Sequence, residues 1–411
     1  MMTKHNIWTQ AIICFMIFFL ASLIYKSRLA KKYGNKVVIC VPVYGQSYAL
    51  GEEAIRITNF DSLNLNHEGR IITENLDHKY GYFDYSDLRV ITRRLFGIHN
   101  KSFELSVYGM AEYLADQIGE DTLICTFPGG QGLTDIANMS KGTMPYYRFL
   151  KNIANAYYEA KRRNWSFYVP AICWMQGESD IADYPKTNYK TYLSKFSKDI
   201  NKDIKNITKQ SNDIKIVCYQ TCTLTRGNRY KKNNYFGTEV STSEAQMELV
   251  RDDTTFWASS PTYPYSFVNE ALHIDAISQR RHGILTAKSV LGIIINKEKF
   301  RGVVPINKIE NGQEIQIIFN VPNPPLVFDT INVKKAENYG FNIIKEDGTD
   351  IISNIQIRMD TIKITCSESP SQCKIRYGVN GEYMKSGSRI GPRGNLRDNS
   401  TDQHWCYIFE L

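Results

Sequence analysis

Apolar runs and helical patterns alternate along most of the chain. Past residue 36, short and almost continuously apolar segments are separated by stretches in which apolar residues recur every three or four positions; these segments are 37–43, 122–127, 167–174 and 214–218. Strands that are apolar throughout are typical of a parallel sheet buried on both faces, and the helical period between them predicts the covering helices. The pattern predicts a doubly wound α/β domain over about residues 37–300, with its last helix at about 278–295.

The period changes to two from about residue 301. Apolar and polar positions alternate at 315–321, 355–359 and 362–364, with Asn-Gly, Asp-Gly and Pro-Pro turn signals between such runs. No convincing helical pattern follows Lys299. Residues 301–411 are therefore predicted to form an accessory domain, an antiparallel β-sandwich or small barrel.

The first 36 residues have a different character. Residues 6–25 contain no charged side chain, and a basic stretch follows at 26–36. Twenty such residues are about the length of a membrane-spanning helix. Because no good small-x-small cleavage site follows the apolar run, the sequence favours an uncleaved single-pass transmembrane helix over a signal peptide. The lipid bilayer is thus a predicted partner through residues 6–25.

Most of the net charge of +8 lies in the first 36 residues. Of the 50 basic residues, six lie in the first 36 together with no acidic one, so the remainder carries a net charge of only +2. A near-neutral globular part argues against nucleic acid as a partner. The five basic residues after the apolar run predict, by the positive-inside rule, that the large domain lies in the cytoplasm.

Two polar turns follow apolar runs, where parallel sheets bind their ligands. The first is Gly45-Gln46-Ser47, whose serine could expose its hydroxyl on a sharp turn or serve only as a helix N-cap. The second is the segment 176–180, Gln-Gly-Glu-Ser-Asp. It fits a ligand pocket, and equally a charged loop that caps the next helix.

A serine nucleophile needs a general base, and His273 is the best placed of the seven histidines. It stands just before the last predicted helix, on a loop that should return to the same sheet edge as Ser47. Glu270 lies three residues upstream, so one turn would bring its carboxylate beneath the imidazole. Such a carboxylate fixes the tautomer of the ring and stabilises the imidazolium.

These three segments, in this order and at these distances, resemble the SGNH hydrolases, and most closely the sialate O-acetylesterase and acetylxylan esterase group. The resemblance covers roughly residues 37–295, and the glycine-rich segment 128–132 resembles a loop of the same group. It implies a flavodoxin-like α/β fold. Tyr48 departs from the asparagine that usually follows the nucleophile.

The resemblance also implies roles for individual residues. Ser47 would be the nucleophile, His273 the base, and Glu270 the third member, where aspartate is usual. The oxyanion donors would be the N–H groups of Ser47 and of Gly109, or Gly130 in its place, and the side-chain amide of Gln176. Substrate contacts would come from Gln46, Gly130 and Glu178.

The predicted function is a carbohydrate esterase that removes O-acetyl groups from sialic acid or another glycan through an acyl-serine, without metal or cofactor. Transfer of the acetyl group to a sugar and glycan binding without catalysis are the alternatives. Such a substrate favours a catalytic domain in the periplasm or at the cell surface, in conflict with the basic stretch. Cys366 and Cys373 flank a short polar loop between two strand-like runs, and they are the only pair of cysteines whose spacing suits a disulfide.

Overall fold

The computed structural model of this 411-residue chain describes most of the residues after position 33. The described residues are 34–58, 66–67, 69–74, 103–182, 188–226, 240–345, 347–371 and 373–411, the backbone of 77–79, 82–84 and 88–90, and the single residues Met16 and Leu20.

The α/β part contains twelve strands among the described residues. They are β1 (Val37–Cys40), β2 (Val43–Gly45), β3 (Ile71–Glu74), β4 (Asp77–Lys79), β5 (Tyr82–Asp84), β6 (Leu88–Val90), β7 (Thr122–Cys125), β8 (Pro128–Gly130), β9 (Ser166–Tyr168), β10 (Ala171–Met175), β11 (Lys215–Gln220) and β12 (Phe256–Pro261).

Ten of them form two five-stranded sheets, in the orders β6-β3-β7-β1-β9 and β12-β11-β10-β2-β8, and β4 and β5 form a separate antiparallel pair. Backbone hydrogen bonds continue across the break between the two five-stranded sheets, as from Val43 N to Phe127 O at 3.0 Å. β6 runs antiparallel to β3, whereas the other pairings in the two sheets are parallel. All five residues of β10 are buried, as a strand covered on both faces requires. The predicted α/β class with a parallel sheet is confirmed.

Six α-helices accompany these strands in the described ranges. They are α1 (Ser106–Gln117), α2 (Met144–Arg162), α3 (Glu178–Ala182), α4 (Tyr189–Thr208), α5 (Ser241–Asp252) and α6 (Ala276–Leu291), with a π-turn at Gly292–Asn296. The Asp275 side chain caps α6 by accepting a hydrogen bond from Ser278 N at 2.8 Å. Helices α1 and α6 touch through Gly109 and Gly283, where a Cβ would lie 2.4 Å and 2.0 Å from backbone oxygens of the facing helix.

The carboxyl-terminal part consists of antiparallel sheets, as the period of two predicts. Its strands are β13 (Val304–Asn311), β14 (Glu314–Asn320), β15 (Val327–Phe328), β16 (Phe341–Ile344), β17 (Ile352–Arg358), β18 (Thr361–Cys366), β19 (Lys374–Tyr377), β20 (Leu396–Arg397) and β21 (Phe409–Glu410).

The strands of this part form a four-stranded sheet β13-β14-β18-β17, a three-stranded sheet β16-β19-β21 and a pair β15-β20. The larger two meet through Phe319 and Phe409, whose ring centroids lie 6.0 Å apart. Ile315, Ile317 and Phe319 are buried at alternate positions of β14, as predicted.

Ile408, the residue before β21, is bonded to the end of β11 by one buried side chain. Gln220 Nε2 donates to Ile408 O and to Ser243 O, each at 2.8 Å, and Gln220 Oε1 accepts from Ile408 N at 2.7 Å. The hydroxyl of Tyr263 adds a bond to Cys406 O at 2.8 Å. The two parts therefore share buried hydrogen bonds, and the boundary at residue 300 stays a prediction.

Neither the predicted membrane anchor nor the predicted disulfide is found among the described residues. Within the described ranges no helix is long and apolar enough to cross a bilayer. The predicted anchor at 6–25 lies outside the described residues, apart from Met16 and Leu20, so the anchor and the location that depends on it stay predictions. The predicted disulfide is wrong, since Cys366 and Cys373 are both free. Cys366 belongs to the buried face of β18, whereas Cys373 is partly exposed.

Candidate functional site

The turn after β2 begins where three strands lie side by side. Gly45 pairs with Gly130 on one side and with Met175 on the other. A Cβ on Gly45 would lie 1.9 Å from Met175 O, so only glycine fits at this position. Gln46 N then donates to Met175 O at 3.0 Å, which fixes the start of the turn. The sequence segments 45–47, 128–132 and 176–180 thus meet at one edge of the sheet, as predicted.

Ser47 occupies the centre of this edge with an unpaired hydroxyl. The residue is only 3% exposed, and its Oγ has no hydrogen-bond partner. Its carbonyl accepts from Leu50 N and Glu52 N, both at 3.1 Å, within a series of turns. The hydroxyl does not cap a helix, so the N-cap interpretation of this serine is not supported.

The loop that carries His273 is held against the Ser47 turn by Tyr48. The Tyr48 hydroxyl donates to Leu272 O, and the Tyr48 and His273 rings meet edge to face with centroids 5.9 Å apart. On the other side, Gln279 Nε2 donates to Tyr48 O at 3.0 Å. Tyr48, where the family usually has asparagine, therefore connects the predicted nucleophile turn to the predicted base.

The carboxylate that meets His273 is not the predicted one. His273 Nδ1 lies 2.8 Å from Glu53 Oε2, which leaves Nε2 as the ring nitrogen that Glu53 does not engage. The structure places Glu270 elsewhere. Asn269 and Glu270 both adopt left-handed backbone conformations, with φ of 54°, so the assumed helical turn beneath the imidazole does not form.

Glu270 faces the carboxyl-terminal part instead. Its carbonyl accepts a hydrogen bond from Ser386 N at 3.0 Å. The residue lines a cavity of about 230 Å³ between the two parts, together with Ser266, Phe267, Ser386, Gly387, Ser388 and Arg389. The assignment of Glu270 as the triad acid is therefore corrected.

Two predicted oxyanion donors are also committed elsewhere. Gly109 lies inside α1, where a Cβ would meet Arg280 O at 2.4 Å, so this glycine serves helix packing. Gln176 Nε2 donates to Thr134 O at 3.1 Å and to Asp180 Oδ2 at 2.6 Å, which uses both amide hydrogens. The Gln176 amide is therefore not free to donate to an oxyanion, and Gly109 lies in the contact between α1 and α6.

The glycine-rich loop after β8 is the better neighbour of Ser47. A Cβ on Gly132 would lie 3.9 Å from Ser47 Cβ, and Gln131 N donates to Gly45 O at 3.1 Å. Gly130, the predicted alternative to Gly109, pairs directly with Gly45. Gly132 was missed by sequence reasoning, although it belongs to the segment that the family resemblance singled out.

The predicted substrate contacts Gln46 and Glu178 have different surroundings. Gln46 Oε1 accepts from Gly177 N and Ser179 N at 3.4 and 3.3 Å, so it supports the start of α3. Glu178 is buried, with Oε1 accepting from the Tyr219 hydroxyl at 2.5 Å and Oε2 unpaired. Burial raises the pKa of Glu178, opposed by the hydrogen bond from Tyr219 and by the nearby His273.

Three unpaired buried oxygens thus gather at this edge: Ser47 Oγ, Gln176 Oε1 and Glu178 Oε2. An unmet buried polar group costs about 1–3 kcal/mol, so such a cluster is typical of a ligand site. No group of three or more His, Cys, Asp or Glu side chains suited to a metal ion occurs among the described residues.

A second serine–histidine pair lies deeper and has a structural environment. His282 contacts Ser259 Oγ through Nε2 and Ser106 Oγ through Nδ1, each at 3.1 Å, and is 1% exposed. Ser106 in turn donates to Gln279 Oε1, which connects this network to Tyr48. With both nitrogens bonded and no access to solvent, His282 supports the nucleophile turn.

Burial lowers the pKa of His282 to about 4, from an ordinary value near 6.5. The unfolded chain takes up this proton as pH falls through about 6.5, whereas the folded chain does not until about pH 4. We therefore expect the free energy of unfolding to fall over this window by up to about 3 kcal/mol through His282. Urea unfolding of wild type and His282→Gln tests this: the difference between the two should shrink as pH falls, and parallel curves would contradict it.

The chain has similarities to known proteins at the level of both sequence and fold. Residues 108–292 match the family model described as carbohydrate esterase, sialic acid-specific acetylesterase. No curated protein sequence gives a significant match.

Among solved structures, a carbohydrate acetylesterase from Xanthomonas citri aligns at a TM-score of 0.58 and 10% identity, over 91% of this chain and 80% of that one. A protein from Arabidopsis thaliana aligns at 0.44 and 14% identity, over 62% of this chain and 98% of that one. At such identities only the fold of the Xanthomonas protein is informative. The family match confirms the predicted resemblance to sialate O-acetylesterases, and the Xanthomonas protein shares the fold.

Proposed function

We propose that the chain hydrolyses O-acetyl esters on a glycan, sialic acid or another sugar, by acyl transfer through Ser47. The observation that carries the proposal is the unpaired, buried Ser47 hydroxyl on a turn that Tyr48 connects to the loop of His273, whose Nδ1 is bonded to a carboxylate. The family match over residues 108–292 supports esterase activity on acetylated carbohydrates. The family match does not identify the nucleophile or the sugar, and both are part of our proposal.

In the first half-reaction, Ser47 Oγ attacks the acetyl carbonyl carbon while His273 Nε2 takes the hydroxyl proton. The tetrahedral intermediate collapses as His273 returns that proton to the departing sugar oxygen, which leaves an acetylated Ser47 and a free sugar hydroxyl. Water then attacks the acetyl carbon, with His273 again holding the proton. Acetate departs and Ser47 Oγ regains its hydrogen.

The negative charge on the intermediate needs donors that are already in place. The N–H groups of Ser47 and Gly132 are the candidates, because Gln131 N already donates to Gly45 O and both amide hydrogens of Gln176 are used. The unpaired Glu178 Oε2 is suited to accept a hydrogen bond from a sugar hydroxyl. Loss of one oxyanion donor typically costs on the order of a hundredfold or more in rate.

The proposal is tested by measuring acetate release from the purified full chain. We expect cleavage of a chromogenic acetyl ester and, more efficiently, of one member of a panel of O-acetylated sialic acids and acetylated oligosaccharides. Activity that appears only as acetylated product when a sugar acceptor is present would instead indicate a transferase. Binding of a glycan of the panel without turnover would indicate a glycan-binding protein and contradict the proposal.

A further inference from the structure

One carboxylate of the site is assigned neither by the family resemblance nor by the sequence pattern. Glu53 Oε2 lies 2.8 Å from His273 Nδ1, at the ring position that a triad acid occupies. We infer that Glu53 is the positioning residue for His273. The acid of this site then lies on the nucleophile turn and not on the histidine loop. This inference rests on the proposed function.

The backbone of the nucleophile turn is arranged to present this side chain. Glu53 has a φ of 65°, a left-handed conformation that non-glycine residues rarely adopt and that costs on the order of 1 kcal/mol or more. Hydrogen bonds on both sides fix it: Glu52 N donates to Ser47 O, and Ala54 N donates to Gly51 O, at 3.1 Å each. Strain that is held in place beside an unpaired serine is typical of a functional turn.

His273 Nδ1 is bonded to Glu53, whereas the backbone of Glu270 is bonded to the carboxyl-terminal part. Because Asn269 and Glu270 are both left-handed, the Glu270 backbone bonds to Ser386. His273 nevertheless retains a carboxylate partner, now supplied from six residues beyond Ser47. The predicted nucleophile and its supporting acid thus share one turn, and only the base comes from a distant segment.

The hydrogen bond between His273 and Glu53 determines which nitrogen of the imidazole can act as the base. An Nδ1–H that donates to Glu53 fixes the tautomer in which Nε2 has a lone pair for the Ser47 proton. When that proton arrives, the imidazolium lies beside a carboxylate. Among the described residues, charged or titratable groups near the pair include Glu178 and Tyr48, near the imidazole, and Arg226, which acts electrostatically on Glu53.

The exposure of Glu53 to solvent limits its contribution to kcat. The Glu53 side chain is 53% exposed, whereas that of His273 is 12% exposed. Water screens a half-exposed carboxylate, so it contributes less than a buried triad acid, whose amide variant can lose about 10⁴-fold in kcat. We therefore expect Glu53→Gln to lower kcat for an acetyl ester by about 10- to 1000-fold, with KM changed by less than about threefold.

Kinetics of three further variants make this test specific. Glu53→Asp should recover part of the lost kcat, because the carboxylate is restored at shorter reach. Asp116→Asn is the matched control, since this half-exposed carboxylate faces a different histidine, His67, at 3.8 Å, and it should leave kcat unchanged. Glu270→Gln should lose less than Glu53→Gln. A wild-type kcat in Glu53→Gln, or the larger loss in Glu270→Gln, would overturn the inference.

A spectroscopic readout separates this inference from the proposed function. In the full chain labelled with ¹⁵N-histidine, the His273 ring signals, identified by their absence in His273→Asn, should show the Nδ1-protonated tautomer. In Glu53→Gln that tautomer should lose its predominance. If the wild type has this signature but no esterase activity, the pairing holds and the proposed function fails. Unchanged ring signals in Glu53→Gln would overturn the pairing whatever the activity.

Discussion

Ser47→Ala is expected to lower kcat for acetyl esters on the order of 10⁴-fold or more while the protein stays fully folded. Removal of a catalytic serine has effects of at least this size, because the acyl-enzyme pathway is lost. The folded state should not suffer, since Ser47 Oγ has no hydrogen-bond partner whose loss would cost stability. Steady-state kinetics and thermal unfolding of wild type and variant measure the two quantities.

A second serine provides the control for this variant. Ser197 is also buried, but its hydroxyl donates to Ser194 O at 2.8 Å within α4. Ser197→Ala should therefore leave kcat unchanged and lower the unfolding free energy by about 1 kcal/mol. More than a tenth of the wild-type kcat in Ser47→Ala would exclude Ser47 as the nucleophile.

The largest expected effect on stability comes from Gly130→Ala. Gly130 has a φ of 123°, and a Cβ there would lie 1.7 Å from Gly45 O, which is backbone and cannot move aside. Strand β8 would have to separate from β2, directly beside Ser47. We expect the free energy of unfolding to fall by about 3 kcal/mol or more, with a loss of esterase activity.

Gly119→Ala is the corresponding control, because no atom lies within 4 Å of a Cβ at that position. Its unfolding free energy should stay within about 0.5 kcal/mol of wild type. Urea unfolding followed by circular dichroism measures both variants. A Gly130→Ala protein less than about 1 kcal/mol below wild type would show that the loop 128–132 adapts more easily than its close packing implies.

The sheet and the location of the site could be predicted because they depend on regular periods. Strands buried on both faces must be apolar throughout, and β10 is buried at every position. Once the strands are placed, the carboxyl ends of parallel neighbours meet at one edge, and this brings Ser47 beside the segments 128–132 and 176–180.

The partner of His273 could not be predicted in this way. The expectation for Glu270 assumed a helical turn, whereas Asn269 and Glu270 are left-handed. Glu53 lies in a turn without any period, and its direction depends on its own φ of 65° and on Gly51, with φ of 66°. Such local reversals depend on tertiary contacts and do not appear in a pattern of apolar and polar positions.

Gly109 illustrates a second reason. Glycine is needed at this position because the backbones of α1 and α6 approach each other closely at Gly109 and Gly283. A requirement that arises only when α1 and α6 meet belongs to neither segment alone. The family resemblance supplied a role for this glycine, and the helix contact explains it better.

The bonds between Gln220 and Ile408 have a consequence during synthesis. These residues are 188 positions apart. When residue 300 has been added, the residues of β11 have been synthesised, but the side-chain amide of Gln220 still lacks the backbone groups of residue 408. Folding of the α/β part on the ribosome therefore stays incomplete until the last strand emerges. Until residue 408 is added, two of the three hydrogen bonds that the Gln220 side chain makes in the folded protein have no partner.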